Sequence, residues 1–391
     1  MISEIGDYVT DLLQSKSLEE KHDFRRGVIA SKNLKHCISY CKIESLLLNG
    51  EMQYPKLEVI ADGRAGSLSN FYDSCSVAKG VAKAISDGHT LRVRNIHNNF
   101  ETIDDLCGVI TNITSMPTTA NAYITPRNTR GFNPHFDDHD VIVLQIHGQK
   151  DWTISDQESS LKLPLKSMTS VPTVKLQDLH TIGKYKLRVG DVLYIPRGVV
   201  HSAESQQQLS IHLTFGLQPV TFYTFLQYLL ARKASVDVDL RRMLSPNLLS
   251  KTASSKVILK GVAGRLESIF SHLNLADELA SFREIQFSSQ ARCGAGSLRF
   301  FADDLATTDL KIFINEKAYW NSSKLEQRGE LELIDKILVF DSVEKPIVEE
   351  LLRVKSISFE SVQRVLGDDA MKFCTKLIEE GFLGLKTDAD R

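Results

Sequence analysis

Hydrophobic positions along the chain fall into successive regimes, and each predicts a different architecture. Residues 1 to about 20 place Ile5, Val9, Leu12 and Leu13 at the three- and four-residue spacing of an amphipathic helix packed on the outside of a core. Mixed spacing follows as far as Arg94, with strands expected at 27–30 (Gly-Val-Ile-Ala), at 57–60 (Leu-Glu-Val-Ile) and from Thr90, and helices at 76–86 and 103–114. From Ala120 to Leu217 the chain is predominantly β. Val141-Ile-Val-Leu-Gln-Ile is almost wholly apolar, as in a strand covered on both faces, and Gly148 then turns the chain into a strand at 151–154. Further strands are expected at 186–189, 191–195 and 209–215.

Helical intervals return beyond Pro219, at 222–232, 240–244 and 257–279, and predict a helical module running to about residue 290. From about residue 308 a third unit opens with a strand at 310–314 and one or two more within 331–340. Helices near 345–354, 358–365 and 368–380 and a closing Gly381-Phe-Leu-Gly-Leu strand give it the order of a winged helix. The expected division is therefore 1–217, 218–300 and 301–391. The expected class is α+β, with a jelly-roll sandwich or barrel at its centre, since short strands broken by Gly and Pro favour that closure.

Charge removes some function classes. With 47 Lys+Arg against 49 Asp+Glu the net charge is −2, which gives no global reason to bind nucleic acid or a membrane surface. From Asp341 to Arg391 eight Lys/Arg stand against eleven Asp/Glu, the wrong sign for a phosphate-binding face, so the terminal unit is expected to be structural or to contact protein. No stretch has the apolar length of a membrane span, and Met1-Ile-Ser-Glu-Ile-Gly-Asp lacks a signal-peptide pattern, so a cytoplasmic location is expected. The six cysteines include no Cys-x-x-Cys pair. Cys37 and Cys41, four apart, would share a helix face but lack two further zinc ligands, and all six are expected to be reduced thiols.

The candidate chemistry sits in the β-rich middle. His135 and Asp137 stand at i and i+2, which on an extended strand puts both side chains on one face. Gly190-x5-Pro196-x4-His201 reads as a strand, a Pro-closed turn and a histidine on the next strand, and supplies a third ligand. Two His and one carboxylate make the facial triad of non-haem Fe(II) oxygenases, with zinc or manganese in a non-redox barrel as the other occupant of such a site. His139 is set aside because three ligands on alternate positions of one strand span too far for one ion. His147, before the Gly148 turn, reads as a surface residue, and Asp138 and Asp140 read as solvated or as supporting groups. His212 reads as a packed core histidine before a pocket-lining one. Lys150 is either a solvated lysine beside a turn or the cation that holds a co-substrate carboxylate.

Asn121-x-Tyr123-Ile-Thr-Pro, Gly131-Phe, Pro134-His-Phe-Asp-Asp, Leu144-Gln-x-x-Gly-x-Lys150-x-Trp152 and Pro196-Arg-Gly-x-x-His201 together resemble the ribosomal oxygenases, a branch of the JmjC-type Fe(II)/2-oxoglutarate oxygenases. The resemblance implies a double-stranded β-helix (cupin, JmjC) core, a helical dimerisation domain and a C-terminal winged helix. It implies His135, Asp137 and His201 as iron ligands, Lys150 on the distal carboxylate of 2-oxoglutarate, and Asn121, Tyr123 and Thr214 in the same pocket. It also implies a homodimer, a protein or peptide substrate, O2 as oxidant, and hydroxylation of a side chain, with the β-carbon of His or Arg expected in a ribosomal protein. The chain departs from the pattern before the core, where Glu20-Lys-His-Asp-Phe-Arg-Arg-Gly replaces a Trp-x-Lys-Pro-type segment, and near Gly216, where a small polar residue is expected. A peptide-tailoring hydroxylase and a non-catalytic cupin-like scaffold are the alternatives, with demethylation a further one.

Overall fold

A computed structural model describes residues 1–49, 56–70, 76–157, 162–165, 179–243, 263–264, 270, 274–287, 311–314, 320–322, 325, 329–333, 337–379 and 382–386. The chain divides into two compact units, Met1–Pro219 and Val220–Arg391. The first holds helices α1 (Ile2–Gln14), α2 (Ser31–Cys37), α3 (Tyr40–Leu48), α4 (Val77–Ser86) and α5 (Glu101–Thr114). Its strands are β1 (Asp23–Arg25), β2 (Leu57–Ala61), β3 (Arg64–Gly66), β4 (Thr90–Val93), β5 (Thr118–Thr125), β6 (Asp140–His147), β7 (Gln149–Gln157), β8 (Leu179–Arg188), β9 (Val192–Ile195), β10 (Val200–Ser205) and β11 (Ser210–Leu217).

Eight strands form one sheet in the order β1-β9-β6-β11-β5-β4-β2-β3, and β10-β7-β8 form a second; every pairing is antiparallel. The apolar run of β6 shows why the sheets stack. Ile142, Leu144 and Ile146 face a large core shared with α1 and α5, while Val141 and Val143 face the opposite way and pack with Trp152, Ile154 and Leu187 of the smaller sheet. Covering both faces removes the need for polar alternation, and each buried Val, Leu or Ile contributes about 1.5–3 kcal/mol. Gly148 makes the β6–β7 turn at φ +64°, and a Cβ there would strike the carbonyl oxygen of Leu209.

Three local expectations change. Residues 27–30 form bends instead of a strand, because Gly27 at φ +60° ends the extended run; the strand lies just before, as β1, with Phe24 opposite Leu193 of β9. Cys37 and Cys41 lie on separate helices, split at Ser39, whose side chain caps α3 by accepting from Lys42 N. His135 and Asp137 do not lie on a regular strand: His135 forms a single bridge to His201, in the connection that precedes β6.

In the second unit helix α6 (Phe222–Val236) carries a capping box between Thr221 and Thr224, and shorter or later helices run Val238–Arg241 and Leu275–Phe287. Most of the expected 257–279 helix lies outside the described residues. Strand Lys311–Ile314 pairs with Ser356–Ser358 and Leu383–Lys386, and Glu330–Leu333 pairs with Trp320–Asn321 and Ile337–Val339. Helices Glu344–Val354, Phe359–Leu366 and Ala370–Glu379 close one core through Val348, Leu351, Phe359, Phe373 and Leu377. No helix among the described residues is long and apolar enough to cross a membrane.

Candidate metal centre

The ligating atoms of His135, Asp137 and His201 all lie within 4.8 Å of one another. The Asp137 carboxylate sits between the two rings, with Oδ1 4.0 Å from His135 Nε2 and Oδ2 3.6 Å from His201 Nε2. Backbone pairing sets this up: His135 N donates to His201 O at 3.1 Å, His201 N donates to His135 O at 2.8 Å, and Gly198 N donates to Asp137 O at 3.0 Å. Each ring is also oriented by its far nitrogen. His135 Nδ1 is 2.8 Å from Asn133 O and His201 Nδ1 is 3.1 Å from Val199 O. Carbonyl oxygen only accepts, so Nδ1 carries a proton in each ring and each Nε2 faces the centre. Burial, with His135 alongside, pushes His201 down to about 4, so its ring is neutral at pH 7. Two imidazoles and a carboxylate with lone pairs converging on one point fit a divalent transition metal.

Asp140, expected to be solvated or a supporting group, is a buried anchor for this arrangement. It is 1% exposed, and it accepts from Tyr194 Oη at 2.8 Å and from Arg197 N at 2.9 Å. Arg197 donates to Glu19 Oε1 at 2.5 Å, and Glu19 N donates to Tyr194 Oη at 2.9 Å. The Pro196–Gly198 turn that leads to His201 is thereby tied to the start of β6 and to the segment after α1. His139 points its Nδ1 at Asp138 Oδ1, 2.9 Å away, and its ring packs where a Cβ on Gly216 would stand 2.9 Å from it. The absent side chain at Gly216 is therefore what makes room for His139. His147 is at the surface, its ring 5.1 Å from Tyr40.

Between the two sheets runs a cleft of about 480 Å³, counted to its open mouth. The triad, Tyr123, Phe132, Val141, Val143, Lys150, Trp152, His212 and Thr214 line it. His201 stands opposite Ile154 and Ser205 opposite Lys150, so four residues of β7, about 13 Å of strand, separate the metal level from Lys150. Lys150 is 2% exposed and donates to Thr125 Oγ1 at 2.8 Å. Among the described residues it has no carboxylate partner, and burial alone pushes its ammonium down to about 7. A buried cation with one neutral hydrogen bond in an open cleft suits an anionic guest.

The other pocket candidates divide. Tyr123 and Thr214 line the cleft, whereas Asn121 is not among its lining residues; its Oδ1 accepts from Asn95 N at 3.0 Å. Reading the sequence missed Thr125, although Asn121, Tyr123 and Thr125 alternate onto one face of β5 and so point to it. It also missed Phe132, whose ring stands 5.3 Å from His135, and Arg92, which lies 5.2 Å over the Phe132 ring and is held by Glu58 at 2.6 Å. Phe132 belongs to the Gly131-Phe pair of the resemblance, whereas no local signal marks Arg92, because β2, β4 and β5 meet only in the folded sheet.

Residues 95–225 match the family model of the JmjC domain, so this part of the chain is a JmjC domain. Among characterised proteins, the chain is 25% identical over 251 residues to "Bifunctional lysine-specific demethylase and histidyl-hydroxylase NO66" of Aedes aegypti, covering 60% of this chain and 39% of that protein. It is 30% identical over 184 residues to the protein of the same name from Brugia malayi, covering 44% and 26%. The chain thus spans less than two-fifths of the length of these relatives. Among solved structures, the ribosomal oxygenase YcfD of Escherichia coli in complex with cobalt and 2-oxoglutarate is similar in fold, with a TM-score of 0.56 at 14% identity over 96% of this chain and 97% of that one. The antiparallel, helix-flanked core is thus of the JmjC/cupin type.

Proposed function

We propose that the chain is an Fe(II)- and 2-oxoglutarate-dependent oxygenase that hydroxylates an amino-acid side chain of a protein, with a ribosomal protein as substrate and the β-carbon of His or Arg as the position. The observation that carries this is a facial His135–Asp137–His201 set sharing one cleft with a buried Lys150 that has no carboxylate partner among the described residues. When bound, Fe(II) supplies the O2 chemistry that no side chain can. The chain's own residues divide the remaining work. His135, Asp137 and His201 hold the ion, and Lys150 with Thr125 holds the distal carboxylate of 2-oxoglutarate. Tyr123, Trp152, Val141 and Val143 wall the cleft against water. In the overall reaction one oxygen atom of O2 enters the substrate C–H bond, and the other enters succinate as CO2 leaves.

The names of the relatives support a protein substrate, and the name of the structural neighbour supports a ribosomal one. The test incubates the full chain with Fe(II), 2-oxoglutarate and isolated ribosomal proteins, and follows succinate together with peptide masses. A gain of one oxygen atom on one protein, matched by succinate, is expected. Loss of methyl groups with formaldehyde release would replace the hydroxylase by a demethylase. A mass gain only on short precursor peptides would favour the tailoring enzyme, and no turnover with any pool would leave a metal-binding scaffold.

The helical segment is proposed as a dimerisation surface and the terminal unit as a winged helix. Tyr223, Leu226 and Leu230 are exposed along one face of α6, and Leu275, Leu279 and Ile285 are exposed on Leu275–Phe287. Light scattering after gel filtration is expected to give the dimer mass, and the pair Leu226→Glu with Leu230→Glu to give the monomer; a monomeric wild-type chain would remove the proposal.

A further inference from the structure

His212 is 3% exposed, and its Nδ1 has no hydrogen-bond partner among the described residues. A buried ring nitrogen in that state is costly, and a core histidine normally avoids it. The ring is nevertheless rigidly placed. It stacks on Tyr123 with centroids 4.9 Å apart and planes 3° from parallel, and it meets Trp152 at 5.3 Å and 81°. It also lines the same cleft as the metal ligands and Lys150. Strand register fixes its level. His212 lies opposite Tyr123 on β5, and Thr125, which holds the Lys150 ammonium, is the next residue of β5 on that face. Along β7, Trp152 stands between Ile154, opposite His201, and Lys150. The His212 layer therefore lies between the metal level and the lysine.

We propose that His212 is a second anchor for the co-substrate, its ring nitrogen donating a hydrogen bond to the distal carboxylate that Lys150 also holds. This rests on the oxygenase reading above. Burial disfavours a positive charge on the ring, and the Lys150 ammonium close by acts the same way, so His212 stays neutral and offers one N–H in place of a competing cation. Stacking on Tyr123 and the edge contact with Trp152 fix the ring before the guest arrives, so little side-chain freedom is lost on binding. The arrangement selects for a carboxylate at the far end of the guest, since a 2-oxo acid without one leaves both Lys150 and His212 unsatisfied.

Calorimetric titration of the full chain loaded with Mn(II) tests this under anaerobic conditions with no turnover. His212→Phe keeps a stacking ring and removes the donor. It is expected to weaken 2-oxoglutarate binding about tenfold or more, the loss expected of one hydrogen bond to an ionised group. Mn(II) affinity and the binding of 2-oxobutyrate, which lacks the distal carboxylate, are expected to stay within about twofold of wild type. His212→Gln, which restores a donor, is expected to recover part of the loss. Equal 2-oxoglutarate affinity in wild type and His212→Phe would overturn the assignment, as would a parallel loss for both acids, which would mark a packing role. A wild-type chain that binds Mn(II) but no 2-oxoglutarate would instead bring down the oxygenase reading, and this assignment with it.

Discussion

His201→Ala is expected to lower Co(II) affinity by at least a factor of about a hundred and to abolish succinate formation. Losing an outer partner of a metal-bound histidine typically costs 10–100-fold in affinity, and His201 is itself one of the three converging groups. Its bridge to His135 is made by backbone atoms, at 2.8 and 3.1 Å, so the connection before β6 keeps its path when the ring is removed. The change is therefore read in the metal and not in the fold. Visible absorption of Co(II), titrated into wild type and variant, measures it, with far-ultraviolet circular dichroism as the control. His139→Ala is the companion, because that ring is engaged by Asp138 and packed at Gly216, and it is expected to leave Co(II) affinity within about threefold. Unchanged affinity in His201→Ala, or an equal loss in both variants, would remove His201 from the ligand set.

Lys150→Met is expected to have opposite effects on binding and on folding. A charged hydrogen bond contributes about 1.5–3 kcal/mol, so 2-oxoglutarate affinity should fall by roughly 10–150-fold. The free protein, however, should become more stable. Burial moves the ammonium from 10.5 to about 7, so between those values the unfolded chain binds the proton that the folded chain has released. Stability of the ligand-free wild type therefore rises with pH across that window. The penalty is fully present below about pH 7 and gone above 10.5, and amounts to several kcal/mol. Methionine of similar length removes the penalty and the slope together. The carboxylate guest favours the charged form, so binding takes up a proton above pH 7 and affinity falls as pH rises. Urea unfolding at about pH 6.5 and 8.5, with calorimetry in two buffers of different ionisation enthalpy, measures both consequences. A wild-type affinity that ignores pH, or a Lys150→Met chain that binds 2-oxoglutarate unchanged, would remove Lys150 as the anchor.

Much of the centre was legible because its signals are local. The apolar run of β6 announced a strand covered on both faces, and it is one. The spacing of His135 and Asp137 and the Pro196-to-His201 turn named three groups that the fold brings within 4.8 Å. What stayed hidden depends on distant partners. Asp140 reads from sequence as either solvated or a supporting group, and the choice falls to the second because Tyr194 and Arg197 reach it from 54 and 57 residues away. The strand expected for His135 and Asp137 was the right spacing attached to the wrong backbone, since a single bridge to His201 takes the place of a ladder. His212 was read as core because burial and pocket lining cannot be told apart from sequence in a strand whose neighbours are unknown. Asn121 follows the alternation of Tyr123, but its side-chain oxygen is engaged by Asn95 N just past the end of β4.

The sheet order also bears on where such a protein can be cut. The recognisable family segment begins at residue 95, while β1, β2, β3 and β4 all precede it. Trimmed to that boundary, the larger sheet would keep β9-β6-β11-β5 and lose its neighbour on each side, leaving β9 and β5 as raw edges free to recruit strands from other copies. Glu19, which grips the turn leading to His201, would be lost as well. The family segment and the stretch of chain that completes the larger sheet are thus different lengths, and the strands the segment lacks lie on the N-terminal side of the candidate metal centre.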